Sequence, residues 1–129
     1  MIFVDTNVIM YAVGREHPLR AEARAFFEAA LRERRPDLCT SAEVLQELLH
    51  AYIPVDRRDT LDAALALAES CIPTVYPIGA EDVRAARLIA GSHPQLGARD
   101  LIHLAVCRRH GVGEIKTFDR GLAAAFGSA

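Results

Sequence analysis

The sequence lacks the features that define several common classes of protein. Its three cysteines are far apart and odd in number, which excludes a complete disulfide framework and any Cys-x-x-Cys zinc site. We therefore expect Cys39, Cys71 and Cys107 to be small core residues. No apolar run approaches the ~20 residues that span a bilayer. The N-terminus has no basic region and Asp5 interrupts its apolar stretch, so we expect no signal peptide and a cytoplasmic protein.

Composition and length predict one folded domain over residues 1–129, without internal repeats or linkers. Charged residues make up 25% and hydrophobic residues 51% of the chain, which argues against disorder. A net charge of −2 would usually argue against a nucleic-acid partner, but a cluster of metal-binding carboxylates would distort that count. All but one of the fifteen basic residues are arginine, which suits bidentate phosphate contacts. Charge is therefore a weak guide to the partner.

Short apolar segments alternate with longer helical patterns along the chain. The strands are predicted at 2–4, 38–40, 74–78 and 114–118, and the helices at 5–13, 18–35, 41–52, 57–71, 80–90 and 99–110, with a short alanine-rich helix at the end. Pro77 must lie at the end of its strand or on a sheet edge. This order predicts βαβ crossovers and a parallel sheet covered on both faces. Ligands bind beyond the carboxyl ends of the strands in such folds.

Three aspartates lie at positions where this fold class places functional residues. Asp5 directly follows the first strand, Asp119 follows the last strand, and Asp100 begins a helix. Each of them could be no more than a helix N-cap that accepts a backbone N–H bond. Taken one at a time, they leave both interpretations open.

The third helix carries two glutamates, of which one has a structural explanation and the other has none. Thr40 and Glu43 fit a capping box, with the glutamate three residues after the N-cap, so Glu43 has a structural explanation. Glu47 has none, because it lies one turn further on among Val44, Leu45, Leu48 and Leu49. Helical side chains lean toward the helix N-terminus, which directs Glu47 toward the strand ends.

The topology thus brings four carboxylates to one edge of the sheet: Asp5, Glu47, Asp100 and Asp119. Unpaired carboxylates repel one another and raise some of their own pKa values. A hard divalent cation with oxygen ligands removes that cost, and Mg²⁺ or Mn²⁺ is the natural match. Mg²⁺ keeps several waters when bound, which suits hydrolysis of a phosphodiester.

At these residues the sequence resembles a known family. The segments MIFVDTN, VLQEL, RDLIHLA and TFDRGLA resemble the motifs of a PIN domain, in order and over nearly the whole chain. The chain is especially similar to the VapC-type toxins of bacterial toxin–antitoxin pairs. One departure is the sequence after Glu47-Leu48, where the family often has a glycine and this chain has His50-Ala51-Tyr52.

The resemblance implies a three-layer α/β/α sandwich with a central parallel sheet, and a Mg²⁺- or Mn²⁺-dependent endoribonuclease. It also implies an antitoxin protein that blocks the acidic cleft, and a homodimer. Asp5 and Asp100 would hold the first metal, and Glu47 would help to bind it or would orient and deprotonate the attacking water. Asp119 would complete the site or a second metal position. Asn7 and Thr117 occupy positions that support these acids in the family.

Three alternatives remain at the level of the sequence. Glu47-x-x-His50 and Asp100-x-x-His103 resemble half of a di-iron carboxylate ligand set, although the chain lacks four long helices. The protein could instead be a non-catalytic binding module with this fold, or a DNA-directed nuclease. Intact acids argue against the former, and the short chain leaves little room for insertions that clamp DNA.

Four basic residues near the acids have plainer explanations. We expect His50 and His103 to be partly buried with a satisfied N–H, although His103 could instead hydrogen-bond near the acids. Arg99 and Arg120 could steer a phosphate backbone toward the site, but neighbouring arginines of this kind are more often solvated surface charges.

Overall fold

The computed structural model describes residues 1–127, so the last two residues of the predicted 1–129 domain lie outside it. The described chain contains four strands: β1 (Ile2–Val4), β2 (Leu38–Ser41), β3 (Thr74–Tyr76) and β4 (Glu114–Lys116). Its helices are α1 (Thr6–Val13), α2 (Arg20–Glu33), α3 (Ala42–Tyr52), α4 (Arg58–Cys71), α5 (Ala80–Ala90), α6 (Ala98–Arg109) and α7 (Arg120–Gly127). No helix within residues 1–127 is long and apolar enough to cross a membrane.

The four strands form one parallel sheet in the order β3-β2-β1-β4. Phe3 of β1 pairs with Cys39 of β2 on one side and with Ile115 of β4 on the other. Helices flank this sheet in a three-layer α/β/α fold, which confirms the predicted fold class. Since β1 and β2 are the inner strands, the residues that follow them lie at the middle of the carboxyl edge.

The inner strands lie in the buried middle of the sheet. Phe3 and Val4 of β1 are fully buried, and so are Leu38 and Cys39 of β2. The outer strands are partly exposed. β3 ends at Tyr76, immediately before Pro77, and lies at the edge of the sheet, as the missing proline N–H requires.

Two apolar clusters hold the helices to the sheet. The larger one includes Phe3, Val8, Phe27 and Leu48 and joins β1 to helices α1–α4. The second joins α5, α6 and α7 through side chains that include Ile89, Leu104 and Leu122. Burial of one such side chain stabilises the fold by about 1.5–3 kcal/mol. These clusters fix the helices that deliver the carboxylates.

The cysteines belong to this apolar interior, as predicted. Cys39, Cys71 and Cys107 are buried free thiols. Burial raises the pKa of Cys39 to about 11 and that of Cys107 to about 12. They are thus protonated at neutral pH and serve as small core residues.

One buried ion pair was not anticipated from the sequence. Asp82, in the first turn of α5, is 1% exposed and accepts hydrogen bonds from the Arg109 guanidinium at 2.8 and 3.0 Å. The same carboxylate accepts from the Gly79 N–H at the helix start. Burial acts to raise the pKa of Asp82, but the Gly79 N–H and Arg109 outweigh it and the pKa is lowered. The pair joins the start of α5 to the end of α6.

The capping box predicted at Thr40 and Glu43 is wrong. Thr40 belongs to β2, where it is fully buried and its hydroxyl donates to the Val4 carbonyl at 2.9 Å. The N-cap of α3 is Ser41, one residue later, and its side chain makes no capping bond. Thr40 is therefore part of the buried strand and is not the helix cap that the local motif predicted.

Candidate active site

The four predicted acids lie on, or directly before, four helices that begin at the carboxyl edge of the sheet. Asp5 separates β1 from α1, and Glu47 lies in the second turn of α3, which directly follows β2. Asp100 is in the first turn of α6. Asp119 lies between β4 and α7. The βαβ order alone places these residues together, which is why the sequence could predict the location.

Asp5 is the helix N-cap that the sequence allowed, and it also makes a long-range hydrogen bond at the carboxyl edge of the sheet. Its Oδ1 accepts the Thr6 N–H at 2.8 Å, so it is the N-cap of α1. Its Oδ2 accepts the hydroxyl of Thr117 at 2.6 Å, across 112 residues of sequence. The residue is only 5% exposed. Burial raises the pKa of Asp5, although His103 and the two hydrogen bonds act against that shift.

The hydroxyl of Thr117 is held by a complete set of hydrogen bonds. The Asn7 amide donates to it at 3.3 Å and the Asp119 N–H donates at 3.0 Å, which uses both lone pairs. Its single proton is therefore directed to Asp5. The Phe118 N–H donates to Asn7 Oδ1 at 3.2 Å, which fixes the amide with its nitrogen toward Thr117. Asn7 and Thr117 thus support Asp5, as the resemblance implies.

Asp100 is the carboxylate on which the other charges act. Burial first, and then the negative charges of Asp5, Asp119 and Glu47, raise the pKa of Asp100 to about 6, against the effect of His103. Asp100 is not a helix cap, because Gly97 is the N-cap of α6. The structural explanation that the sequence allowed for Asp100 is therefore wrong.

Glu47 and Asp119 differ in how far they are buried. Glu47 has 16% of its side chain exposed and contacts His103, so its predicted direction toward the strand ends is confirmed. Asp119 is exposed. Its Oδ1 accepts the Leu122 N–H at 3.0 Å and so supports the first turn of α7. Asp119 is therefore a cap and also a charged neighbour of Asp100.

His103 is more central than the sequence indicated. Its side chain is fully buried, with Nε2 2.8 Å from Glu47 Oε1 and 3.7 Å from Asp5 Oδ1. The contact with Glu47 is short, but its angles fall short of a hydrogen bond, and Nδ1 has no partner within residues 1–127. Burial acts to lower the pKa of His103, but Glu47 and Asp5 outweigh it and the pKa is raised. His103 therefore lies near the acids, as the alternative had it, and is fully buried where the sequence predicted partial burial.

The remaining basic residues lie outside the acid cluster. His50 is exposed, which corrects the expectation that it is partly buried. The alternative of a di-iron ligand set is excluded, since His103 contacts Glu47 itself and the fold is a parallel sheet. Arg99 and Arg120 are exposed, and no carboxylate within residues 1–127 pairs with either. The spacing of His103, three residues after Asp100 on one helix face, was the signal that could have located it.

The donors fit a hard divalent cation by their chemistry. They are carboxylate oxygens whose repulsion is only partly offset by His103. Among residues 1–127, no three His, Cys, Asp or Glu side chains already stand at the spacing of a formed metal centre. Glu47 is instead turned to His103. Asp5 is held by hydrogen bonds from the Thr6 N–H and the Thr117 hydroxyl, and Asp100 lies in the first turn of α6.

Comparisons with known proteins give a family and full-length relatives for this chain. The PIN domain sequence profile matches residues 2–126. The chain is 59% identical over 128 residues to Ribonuclease VapC23 of Mycobacterium tuberculosis, covering 99% of this chain and 100% of that protein. It is 40% identical over 123 residues to Ribonuclease VapC13 of the same species, covering 94% of this chain and 92% of that protein.

Solved structures show the same fold at low sequence identity. The crystal structure of Mycobacterium tuberculosis VapC20, described as a toxin that cleaves the sarcin-ricin loop, has a TM-score of 0.75 at 24% identity and covers 97% of this chain and 95% of that chain. The crystal structure of FitAcB from Neisseria gonorrhoeae has a TM-score of 0.67 at 23% identity and covers 98% and 94%.

The repulsion at Asp100 predicts a stability change. In metal-free protein the pKa of Asp100 is about 6, against about 4 in an unfolded chain, so its ionised form opposes folding above that lower value. Asp100→Asn should therefore raise the free energy of unfolding at pH 7 by about 1 kcal/mol, after solvent screening of a half-buried group. The gain should vanish near pH 4. Urea denaturation in EDTA at both pH values measures it.

Asp59→Asn is the matched control, because Asp59 is an exposed first-turn carboxylate of α4. It should not stabilise the protein, since it removes a favourable charge at a helix start. A loss of stability in Asp100→Asn at pH 7 would contradict the repulsion.

The Thr117 hydrogen bonds predict a specific effect on metal affinity. Thr117→Val keeps the shape but removes the donor to Asp5, and it leaves the Asn7 and Asp119 donors without an acceptor. Mn²⁺ affinity should fall about 10–100-fold. Thr117→Ser keeps the hydroxyl and should retain affinity. Isothermal titration with Mn²⁺ compares the three proteins, and equal affinity in the valine variant would dismiss a supporting role for Thr117.

Proposed function

The chain belongs to the PIN-domain family, and because it also matches VapC ribonucleases along its length, we propose that it is an endoribonuclease toxin of a VapBC-type pair whose catalytic acids are Asp5, Glu47, Asp100 and Asp119. It is a ribonuclease, that is, a hydrolase of RNA phosphodiester bonds. The observation that carries the residue assignment is the raised pKa of Asp100 beside a buried, hydrogen-bonded Asp5. Such uncompensated carboxylates at a strand edge indicate a cation site.

Ribonucleases of this family generally depend on a divalent metal ion. When bound, such a cation supplies a water of lowered pKa and neutralises charge on the phosphate. Mg²⁺ and Mn²⁺ both match carboxylate donors. We assign Asp5 and Asp100 as the residues that hold it, since Asp5 is fixed by the Thr117 hydroxyl and the Thr6 N–H.

The other side chains act on geometry and protons. Glu47 helps to bind the cation, or it accepts the proton of the attacking water once its carboxylate is no longer held by His103. His103 keeps Glu47 from turning away from Asp5, because its Nε2 is within 4 Å of both carboxylates. Asp119 lies on the solvent side of Asp100 and completes the site. We place Arg99 and Arg120 outside the chemistry, as exposed cations that steer the phosphate backbone.

The hypothesis of a non-catalytic module has less support than that of a ribonuclease, because all four acids are present and their charges act on one another. The iron oxidoreductase is excluded by the fold and by the ribonuclease relatives. A DNA-directed enzyme is also disfavoured, since the named relatives are ribonucleases.

The first test is cleavage of pooled small RNA by purified protein, freed of any copurifying inhibitor. We expect cleavage with Mg²⁺ or Mn²⁺, none with EDTA, and a loss of at least about 10²-fold in Asp5→Asn, because Asp5 holds the cation. Gel electrophoresis of the products measures the rate. Circular dichroism confirms that the variant is folded.

Glu43→Gln is the control, since Glu43 is a partly exposed glutamate one turn before Glu47 on α3. It should cleave at the wild-type rate. Cleavage that persists in Asp5→Asn would show either a contaminating ribonuclease or a wrong assignment of the acids.

Two partners follow from the family, and they differ in support. Toxin–antitoxin complexes are among the structural neighbours, which supports an antitoxin partner. A homodimer remains our proposal. The large apolar side chains of α2 and α4 are mostly used in the core, because Phe27 and Leu61 are buried and Phe26, Leu65 and Leu67 pack against the same cluster. Exposed apolar side chains lie elsewhere, including Ile53, Val83 and Leu88.

Light scattering tests the homodimer. The protein expressed with its antitoxin and then freed of it should have twice the chain mass of 14.1 kDa. Leu88→Glu, which changes the most exposed large apolar side chain, should lower that mass if α5 lies in the interface. A monomer at all concentrations would remove the dimer from the proposal.

A further inference from the structure

A cavity of about 340 Å³ adjoins the acid cluster and has no role in the chemistry described above. We call it the aromatic pocket, and its principal lining residues are Asn7, Tyr11, Arg15, His17, Tyr52 and Arg57. Its volume lies at the lower end of the range for small-molecule sites. It is therefore large enough for one nucleotide and too small for a peptide helix.

Two of the lining rings form a fixed platform. The rings of Tyr11 and His17 lie 4.4 Å apart and are inclined by 31°. The Leu19 N–H donates to His17 Nδ1 at 3.1 Å, which holds this exposed imidazole over Tyr11. Gly14 lets the chain turn back from α1 toward Tyr11, because a Cβ there would lie 2.8 Å from the Met10 carbonyl oxygen. A prearranged pair of rings, with His17 exposed and Tyr11 partly buried, offers a surface on which a base can stack.

Two cations flank these rings. Arg15 is exposed and Arg57 is half-buried, and no carboxylate within residues 1–127 pairs with either one. The neighbouring Asp56 pairs with Arg58 instead of Arg57. Glu16 also lines the cavity, so the lining charges are two positive and one negative. The pocket is thus a local positive site beside an acidic cluster.

The pocket is continuous with the catalytic acids. Asn7 lines it and also donates to Thr117, whose hydroxyl donates to Asp5. Tyr11 contacts the ring of Phe118 at 5.6 Å, and Phe118 lies between Thr117 and Asp119 in the chain. An occupant of the pocket therefore lies next to the position where a phosphodiester must sit for cleavage.

We propose that the aromatic pocket binds one nucleotide of single-stranded RNA beside the scissile phosphate, with its base on the Tyr11–His17 platform and its phosphate at Arg15 and Arg57. This inference rests on the proposed ribonuclease function. It places the binding cations away from the four carboxylates, which would otherwise repel the RNA backbone. Stacking accepts any base, so the pocket adds affinity and register without a base code.

The test is an RNA-binding titration in the Asp5→Asn background with EDTA, so that no RNA is cut. The probe is a short fluorescein-labelled single-stranded RNA of mixed sequence, followed by fluorescence anisotropy. Tyr11→Ala should weaken binding about ten-fold, and Tyr11→Phe, which keeps the ring, should bind like its parent. In the protein with Asp5 intact, Tyr11→Ala should raise KM for pooled small RNA more than it lowers kcat.

Arg15→Ala tests the phosphate contact without disturbing the core, since Arg15 is exposed. It should weaken binding and reduce the slope of log affinity against log salt by about 0.7, the value for one contact to a single strand. Arg87→Ala, at an exposed position on α5, is the matched control and should change neither quantity.

Three results would overturn the inference. Unchanged binding in both Tyr11→Ala and Arg15→Ala would show that RNA does not use the pocket. Loss of binding in folded Tyr11→Phe would show that stacking is not the interaction. Unchanged RNA binding with lost binding to the antitoxin would assign the pocket to a protein partner. Failure of the wild-type protein to cleave RNA bears on the proposed function instead, because the titration needs no metal and no cleavage.

Discussion

The hydrogen bond from the Thr117 hydroxyl to Asp5 is the contact on which the site depends. It joins the residue after β1 to the residue after β4, next to the backbone bond in which the Asp5 N–H donates to the Lys116 carbonyl at 3.0 Å. Asn7 and the Asp119 N–H determine which way the hydroxyl proton points. The position of Asp5 is therefore set from two distant parts of the chain, and the start of α1 is set with it because Asp5 is also its N-cap.

The order of strands and helices predicts where the acids lie, but their negative charges lower the stability of the folded chain. Asp5 and Asp100 both have raised pKa values, which means that the folded chain holds them ionised at a cost. His103 offsets part of that repulsion from a fully buried position between Asp5 and Glu47. Stability and the convergence of carboxylates are thus opposed at this edge, as is common where function requires converging charges.

The sequence predicted the features that depend on periodicity and chain order. Strand β1 followed by Asp5, and Glu47 without a structural explanation on an apolar helix, were both found where topology placed them. It failed where a tertiary contact overrode a local motif: Thr40 fits a capping box but pairs inside the sheet with Val4. The Asp82–Arg109 pair was missed for a related reason, since its partners are separated by 27 residues of sequence and no local spacing signals them. His103 was considered near the acids, but its contacts with Glu47 and with Asp5, 98 residues away, depend on the tertiary fold.

The distance in sequence between Asp5 and Thr117 has a consequence for the time at which the enzyme becomes active. Asp5 is synthesised early and Thr117 only 112 residues later. A growing chain that already contains Asp5 therefore lacks the hydroxyl that fixes its carboxylate. Asp100 and Asp119 are also contributed by the later part of the chain. A partly synthesised chain therefore contains α1 and its pocket residues but no assembled site. The four acids come together only once β4 has joined the sheet, so their assembly is completed late in synthesis.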